Sequence, residues 1–148
     1  MKFTGVLFII GKPSVLCPEG SRGHKILIAP EAIQDMLENF PGKPLWACRK
    51  AENWTHNRQE IAGVIDKAQV IGDMFVIFGT LVDVYETLDI AATVDTLGLS
   101  YDISGAYVGN TYEFSVWNIN KISQVLGAHI IPQYNAAHKE DCLFWIES

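Results

Sequence analysis

Residues 74–82 read MFVIFGTLV, a short run dominated by β-branched, aromatic and other apolar side chains. Such a composition is typical of a β-strand, because branched and aromatic side chains pack well on a pleated surface. Similar runs, mostly bounded by Gly, Asn, Asp or Pro, recur along the chain, and we expect each to be a strand: Phe3–Ile10, Lys25–Ile28, Ile61–Ile65, Tyr101–Val108, Tyr112–Ile119, Gln124–Ile131 and Leu143–Ile146. The sequence therefore predicts a mostly β protein.

Two segments have helical instead of strand spacing. Pro30–Phe40 has Pro at a plausible first helical position and places its apolar residues on one stripe. Tyr85–Leu97 shows the same spacing, and Gly98 follows it as a natural C-terminal cap. We expect both segments to be helices packed against a sheet.

Many short strands accompanied by two helices are typical of a closed or nearly closed β-barrel, since closure removes the strand edges that invite aggregation. We therefore expect a mostly β (α+β) fold, with a barrel of about seven strands and flanking helices. The 148 residues fit a single domain, residues 1–148. A hydrophobic content of 49% with 19% charged residues favours a packed core over disorder.

The charge pattern disfavours nucleic-acid binding. The chain has 11 Lys and Arg against 17 Asp and Glu, for a net charge of -6, and its basic residues form no cluster that could neutralise phosphates. The apolar start, Phe3–Ile10, is too short to span a membrane and lacks a signal-peptide cleavage pattern. We expect neither nucleic-acid nor membrane partners, and a cytoplasmic location.

The cysteines and histidines do not form a metal-site pattern. Cys17, Cys48 and Cys142 are far apart and include no C-x-x-C pair, so we interpret them as reduced, structural thiols. The four histidines are scattered along the chain, and two of them, His24 and His138, are expected in surface loops. We therefore expect no metal and no cofactor.

Ser100 is a candidate nucleophile. Residues 97–103 read LGLSYDI, so apolar neighbours should bury the backbone and fix the orientation of a hydroxyl at the start of a strand. A structural serine is the alternative, because this stretch lacks the G-x-S-x-G turn of the α/β-hydrolases. Taken alone, the stretch favours the structural interpretation.

His56 is a candidate general base. It lies in the polar segment Trp54–Glu60, directly before the apolar run Ile61–Ile65. Near neutral pH a loop imidazole can accept a serine proton and return it to a leaving amine. A solvated loop histidine is the alternative.

His129 is a polar residue inside the apolar run Val125–Ile131. A buried imidazole needs a hydrogen-bond partner to offset the cost of leaving water. His129 is therefore either a satisfied core histidine or the group that orients the ring of His56, as the third member of a catalytic triad does.

The order of several short segments resembles that of the prohead proteases of tailed phages, whose fold is shared with herpesvirus assemblin. The segments that carry this resemblance are Ile28–Ile33, Gly42–Leu45, Thr55–Asn57, Ile61–Ile65, Gly79–Leu81, Gly98–Ile103, Leu126–Ile131 and Asn135–Ala137. In that family the catalytic His precedes a G-[VH]-[VI] strand, and the Ser follows a helix in a G-[LM]-S motif. His56 and Ser100 match these two positions.

The resemblance implies a serine endopeptidase that cleaves phage scaffolding protein and major capsid protein during prohead maturation. It implies that Ser100 is the nucleophile and His56 the base and then the acid. It also implies action in the host cytoplasm, inside the assembling prohead, and it is compatible with a homo-oligomer.

The chain departs from the family pattern at two points. The third catalytic member aligns with Gly127, and His129, two residues later on the same strand face, is the substitute we expect. No Arg pair between Ile130 and Lys139 matches the one that stabilises the oxyanion in the assemblin branch, so backbone N–H groups are the expected donors. Two alternatives stay open: a catalytically inactive capsid-assembly or scaffolding module on the same fold, and a β-barrel that binds an apolar ligand.

Overall fold

The computed structural model describes residues 1–18, 20–21, 23–47, 60–82, 96–104, 107–112 and 116–147. The strands and the helix within them are, in chain order, β1 (Lys2–Ile9), β2 (Lys25–Ile28), α1 (Pro30–Asn39), β3 (Pro44–Ala47), β4 (Glu60–Ile71), β5 (Met74–Leu81), β6 (Leu97–Ser104), β7 (Tyr107–Tyr112), β8 (Val116–Lys121), β9 (Gln124–Pro132) and β10 (Leu143–Ile146). Short 3₁₀ turns, Gln133–Asn135 and Lys139–Asp141, connect β9 to β10.

Seven strands form one sheet in the order β10-β1-β5-β4-β3-β9-β6. Its neighbours pair antiparallel except for β3 and β9, which run parallel. The sheet curls into a nearly closed barrel, whose two end strands, β10 and β6, approach each other across a seam. The expected mostly β fold with a nearly closed barrel is thereby confirmed.

A smaller sheet and the helix lie beside the barrel. The three-stranded sheet has the order β2-β8-β7, with β2 parallel to β8. Helix α1 begins at Pro30, where a proline costs no hydrogen bond, and buries Ala32, Ile33 and Met36. The backbone N–H of Ala29 donates to the carbonyl of Ile119 on β8 at 2.8 Å, which ties the start of the helix to the smaller sheet.

The barrel interior is filled by apolar side chains from strands on both sides of the seam. Phe3, Leu7 and Phe75 are essentially inaccessible, and Leu99 of β6 belongs to the same core. Gly5 on β1 faces Leu99 so closely that a Cβ added to Gly5 would overlap Leu99 Cδ1. The glycine is therefore the reason that β1 and β6, which are not hydrogen-bonded neighbours, can pack together.

Several predicted boundaries were wrong. The predicted strand Tyr101–Val108 is divided between β6 and β7, and Tyr112 belongs to β7 instead of starting β8. Strand β3 was not predicted at all. Its sequence, PLWA, begins with a proline and contains no β-branched residue, and the strand is held by pairing with β4 and β9.

The predicted helix Tyr85–Leu97 lies mostly in residues 83–95, outside the described part of the chain. Its end is wrong, because Leu97 and Gly98 are the first residues of strand β6. Gly98 is not among the described glycines with positive φ, so it is not a helical cap. A Cβ there would come within 2.7 Å of Cys142 Sγ, which explains the glycine by close packing.

Candidate active site

Ser100 and His129 lie directly opposite each other on neighbouring strands. The antiparallel register of β6 and β9 pairs Ser100 with His129 and, one step earlier on β6, Leu99 with Ile130. Directly opposed residues of an antiparallel pair project to the same face of the sheet. Leu99 and Ile130 face the barrel core, so Ser100 and His129 share the opposite face, which we call the outer face.

Asp102 joins this pair on the outer face. It follows Ser100 by two residues on β6, and strand alternation returns it to the same side. Its carboxylate oxygen Oδ2 lies 3.6 Å from Nε2 of His129. The His129 side chain is only 6% exposed, whereas that of Asp102 is 40% exposed, so the contact joins a buried ring to a carboxylate at the surface.

Trp46 covers the ring of His129 from the other neighbouring strand. It is paired with His129 in the parallel register of β3 and β9. The two rings stack with centroids 4.6 Å apart and planes inclined by 29°. Stacking on one face and a carboxylate at Nε2 together restrict how the His129 ring can turn. We call Ser100, Asp102, His129 and Trp46 the outer-face cluster.

Gly127 occupies a position on the outer face of β9 where the neighbouring strand leaves no room for a side chain. Gly127 has φ +155°, and a Cβ there would overlap the carbonyl oxygen of Pro44 and lie 2.6 Å from Trp46 Cζ3. No side chain fits at this position while Trp46 keeps its place. The same face of β9 is next available at residue 129, where the imidazole lies beside Trp46 and opposite Ser100.

Ser100 is not at the head of its strand. It is the fourth residue of β6 and is half-buried, so the prediction of a serine at a helix–strand junction was wrong. Strand hydrogen bonding on the β9 side holds its backbone in place. A serine in such a position is presented by a rigid element and not by a loop.

His56 lies in residues 48–59, outside the described residues. Its contact with Ser100 therefore stays a prediction. Of the residues predicted to act together, the structure brings Ser100 and His129 into register.

The residues that sequence reasoning missed are Asp102 and Trp46. Asp102 stands two residues after Ser100 in a predicted strand, so alternation alone could have placed it on the same face. No local pattern indicated Trp46, because its proximity to His129 depends on the pairing of β3 with β9. That pairing joins segments about 80 residues apart in the chain, beyond the reach of any local pattern.

The opposite side of β6 carries a polar pair in which His138 is buried and Tyr101 is partly buried. Tyr101 alternates with Ser100, and its hydroxyl lies 2.9 Å from Nε2 of His138, within hydrogen-bond distance. Burial raises the pKa of Tyr101. Burial also lowers the pKa of His138 to about 4, although Asp141 opposes this shift. Both rings contact the ring of Phe8 on β1, so this group fills the space between β1 and β6.

His138 was predicted in a surface loop, and this was wrong. It is 3% exposed. His24 is half-buried and stacks on Trp117, with ring centroids 4.7 Å apart. In both cases a tertiary contact buries a histidine whose local sequence is polar.

The two described cysteines are free, as expected for reduced thiols. Cys17 is exposed and Cys142 is buried. The Cys142 thiol donates a hydrogen bond to the carbonyl of Lys139 at 3.0 Å, and burial raises its pKa. A thiol held in its neutral form is a poor nucleophile, so Cys142 is a poor candidate for that role.

No protein-family model, curated protein or solved structure matches this chain. The likeness to prohead proteases thus depends on the short sequence segments alone. Among the described residues, no helix has the length and apolar character needed to cross a membrane.

Proposed function

We propose that this chain is a serine endopeptidase of the prohead-maturation type, which cleaves phage scaffolding protein and major capsid protein inside the assembling prohead in the host cytoplasm. Ser100 is the nucleophile, His56 the general base and His129 the third member. The observation that carries the proposal is the register of β6 and β9, which pairs Ser100 with His129 on one face of the sheet.

In the proposed reaction, Ser100 Oγ attacks the scissile carbonyl carbon while His56 takes its proton. His56 then gives this proton to the leaving amine as the C–N bond breaks. Water, deprotonated by the same imidazole, hydrolyses the acyl ester on Ser100 and restores the hydroxyl. His129 orients the ring of His56 and stabilises its positive charge, as the third member of a triad does.

The local structure supports these roles in two ways. Ser100 and His129 are both on strands of one sheet, and sites on such rigid elements are held more accurately than sites on loops. His129 is 5% exposed, and a buried imidazole favours strong electrostatic contacts because little water screens them. Both features suit a positioning group better than a solvated surface histidine.

A second candidate function is a catalytically inactive capsid-assembly module on the same barrel. Gly127 favours it, because the position that aligns with the third catalytic member is closed to any side chain by Pro44 and Trp46. In this case Ser100 and His129 are structural residues of the β6–β9 pair. The two functions differ in whether the Ser100 hydroxyl is activated.

The experiment that separates them is labelling with a fluorophosphonate probe, which reacts with activated serine hydroxyls. We expect labelling of the wild-type protein and none of Ser100→Ala or His56→Ala. Ser123→Ala is the matched control, because Ser123 is an exposed serine between β8 and β9 and its loss should leave labelling unchanged.

Cleavage of co-expressed scaffolding and major capsid proteins is the second readout. Removal of Ser100 or His56 should lower cleavage by several orders of magnitude with circular dichroism unchanged. His129→Ala should lower the cleavage rate as well. A modest effect would mean that His129 is a structural residue and not the third member of the triad. Wild-type activity of Ser100→Ala, or the absence of probe labelling in the folded wild-type protein, would refute the protease proposal.

A further inference from the structure

Asp102 is a carboxylate that the proposed triad does not use. It lies on the outer face two residues after Ser100, and its Oδ2 is 3.6 Å from Nε2 of His129. Because the Asp102 side chain is 40% exposed, its carboxylate could be solvated entirely by water. Its approach to a ring that is 6% exposed is therefore a specific contact between a surface charge and a buried imidazole.

We propose that Asp102 is a positioning residue of the outer-face cluster: its carboxylate fixes the orientation and the protonated nitrogen of the His129 ring, which Trp46 holds by stacking. This role deepens the proposed function, on which its activity readout rests. Its spectroscopic readout is independent of any activity.

The two neighbours of His129 restrict different motions. Stacking on Trp46 restricts the plane of the imidazole but not which ring nitrogen points toward β6. A carboxylate near Nε2 favours the state in which Nε2 carries the proton, as partners of one ring nitrogen do for histidines generally. With its proton on Nε2, a neutral His129 presents Nδ1 as a hydrogen-bond acceptor, which a protonated ring cannot do.

The distance sets the nature of the contact. At 3.6 Å it is longer than an ordinary N–H···O hydrogen bond, so the attraction is mainly electrostatic and increases when the imidazole is protonated. Among the described residues, the hydroxyl of Ser100 and the carboxylate of Asp102 face His129 from β6, and the neutral indole of Trp46 faces it from β3. Asp102 should therefore stabilise positive charge on the His129 ring, including the share that the ring takes when it accepts a hydrogen bond from a protonated His56.

The test is the titration of His129 followed by NMR of protein with ¹⁵N-labelled histidine. The chain has four histidines, and the spectrum of His129→Gln identifies the resonances of His129 by their loss. We expect Asp102→Asn to lower the titration midpoint of His129 and to increase the share of the tautomer with its proton on Nδ1. Asp102→Glu, which keeps the charge, should restore most of the wild-type behaviour.

Asp66→Asn is the matched control. Asp66 is also a carboxylate on a barrel strand, with a side-chain exposure of 44%, and its contacts are Lys2 and Thr80 instead of a histidine. Its substitution should leave the His129 titration unchanged. An Asp102→Asn protein that is folded but titrates as the wild type would overturn the proposal.

Cleavage assays on the same variants distinguish this proposal from the proposed function. If both hold, Asp102→Asn should lower kcat by about tenfold to a hundredfold with little change in KM, the range for loss of a group that orients a functional histidine. It should also change the pH profile of kcat. Absence of cleavage by the wild type would refute the protease while the NMR titration still decides the role of Asp102. A wild-type pH profile in an active Asp102→Asn enzyme would count against the positioning role.

Discussion

The contact between Gly5 of β1 and Leu99 of β6 permits a quantitative test of how the barrel closes. Gly5→Ala places a methyl group where Leu99 Cδ1 now lies, and Ile77 Cγ1 is only 3.3 Å from the same position. Leu99 is 1% exposed, so it cannot move into solvent to make room. The added methyl group must therefore displace packed atoms.

The expected free energies follow from this geometry. Overpacking by one methyl group in a rigid core costs about 2 kcal/mol. Leu99→Ala removes a fully buried side chain and costs about 3 kcal/mol, including the cavity it leaves. In the double variant the alanine at position 5 projects into that cavity, so the second substitution should cost nothing further. The coupling free energy is then about 2 kcal/mol.

Urea denaturation of the wild type, both single variants and the double variant measures this coupling. Gly5→Ala combined with Leu45→Ala is the control, because Leu45 is equally buried but is not among the atoms nearest to a Cβ at position 5. That pair should be additive within about 0.5 kcal/mol. Equal additivity for Gly5 and Leu99 would refute the packing of β1 against β6.

Further predictions concern the buried pair and the glycine of β9. The pKa of His138 is lowered to about 4 in the fold, so the unfolded chain binds more protons between that value and its ordinary pKa of about 6.5. The free energy of unfolding should therefore have its full value above about pH 6.5 and fall by about 3 kcal/mol as the pH drops to about 4. His138→Asn should weaken this dependence, as measured by urea denaturation at a series of pH values. Tyr101→Phe leaves the His138 nitrogen without its hydroxyl and should cost about 1–3 kcal/mol in thermal denaturation. Gly127→Ala should lower the free energy of unfolding by at least about 2 kcal/mol, because the added Cβ overlaps the backbone of Pro44. Gly11→Ala is the control: it has open space around it, so it measures the cost of a positive φ alone.

The sequence predicted those parts of the fold that local patterns determine. Strands β2 and β10 have the predicted bounds, and α1 differs from its prediction by one residue at its end. Composition and turn residues are sufficient there because each segment is a complete strand or helix with clear boundaries. Closure of the barrel followed from the same count of short strands.

The glycines show where local patterns mislead. Gly98 has the position of a helical cap in the sequence, yet it is a strand residue kept small by the Cys142 sulfur. Gly127 was interpreted only as the residue aligned with the third catalytic member, although it makes room for Trp46 beside His129. Both reasons are tertiary approaches between distant segments, and a single sequence does not display them.

The candidate site was predicted only in part, because some of its contacts also join segments that are distant in the chain. Alternation along a strand correctly indicated that residues 127 and 129 share a face. The pairing of Ser100 with His129 depends on the register of two strands, which bulges and glycines of the folded sheet determine. The role of His56 stays a prediction.

The position of β9 in the sheet bears on when the outer-face cluster can form during synthesis. Strands β1, β3, β4 and β5 are neighbours in the sheet and come from the first 81 residues, so they can pair early. Strand β6 joins them in the sheet only through β9, whose last residue is Pro132. On the ribosome, Ser100 therefore emerges before the strand that carries His129, and the outer-face cluster cannot form until that strand inserts.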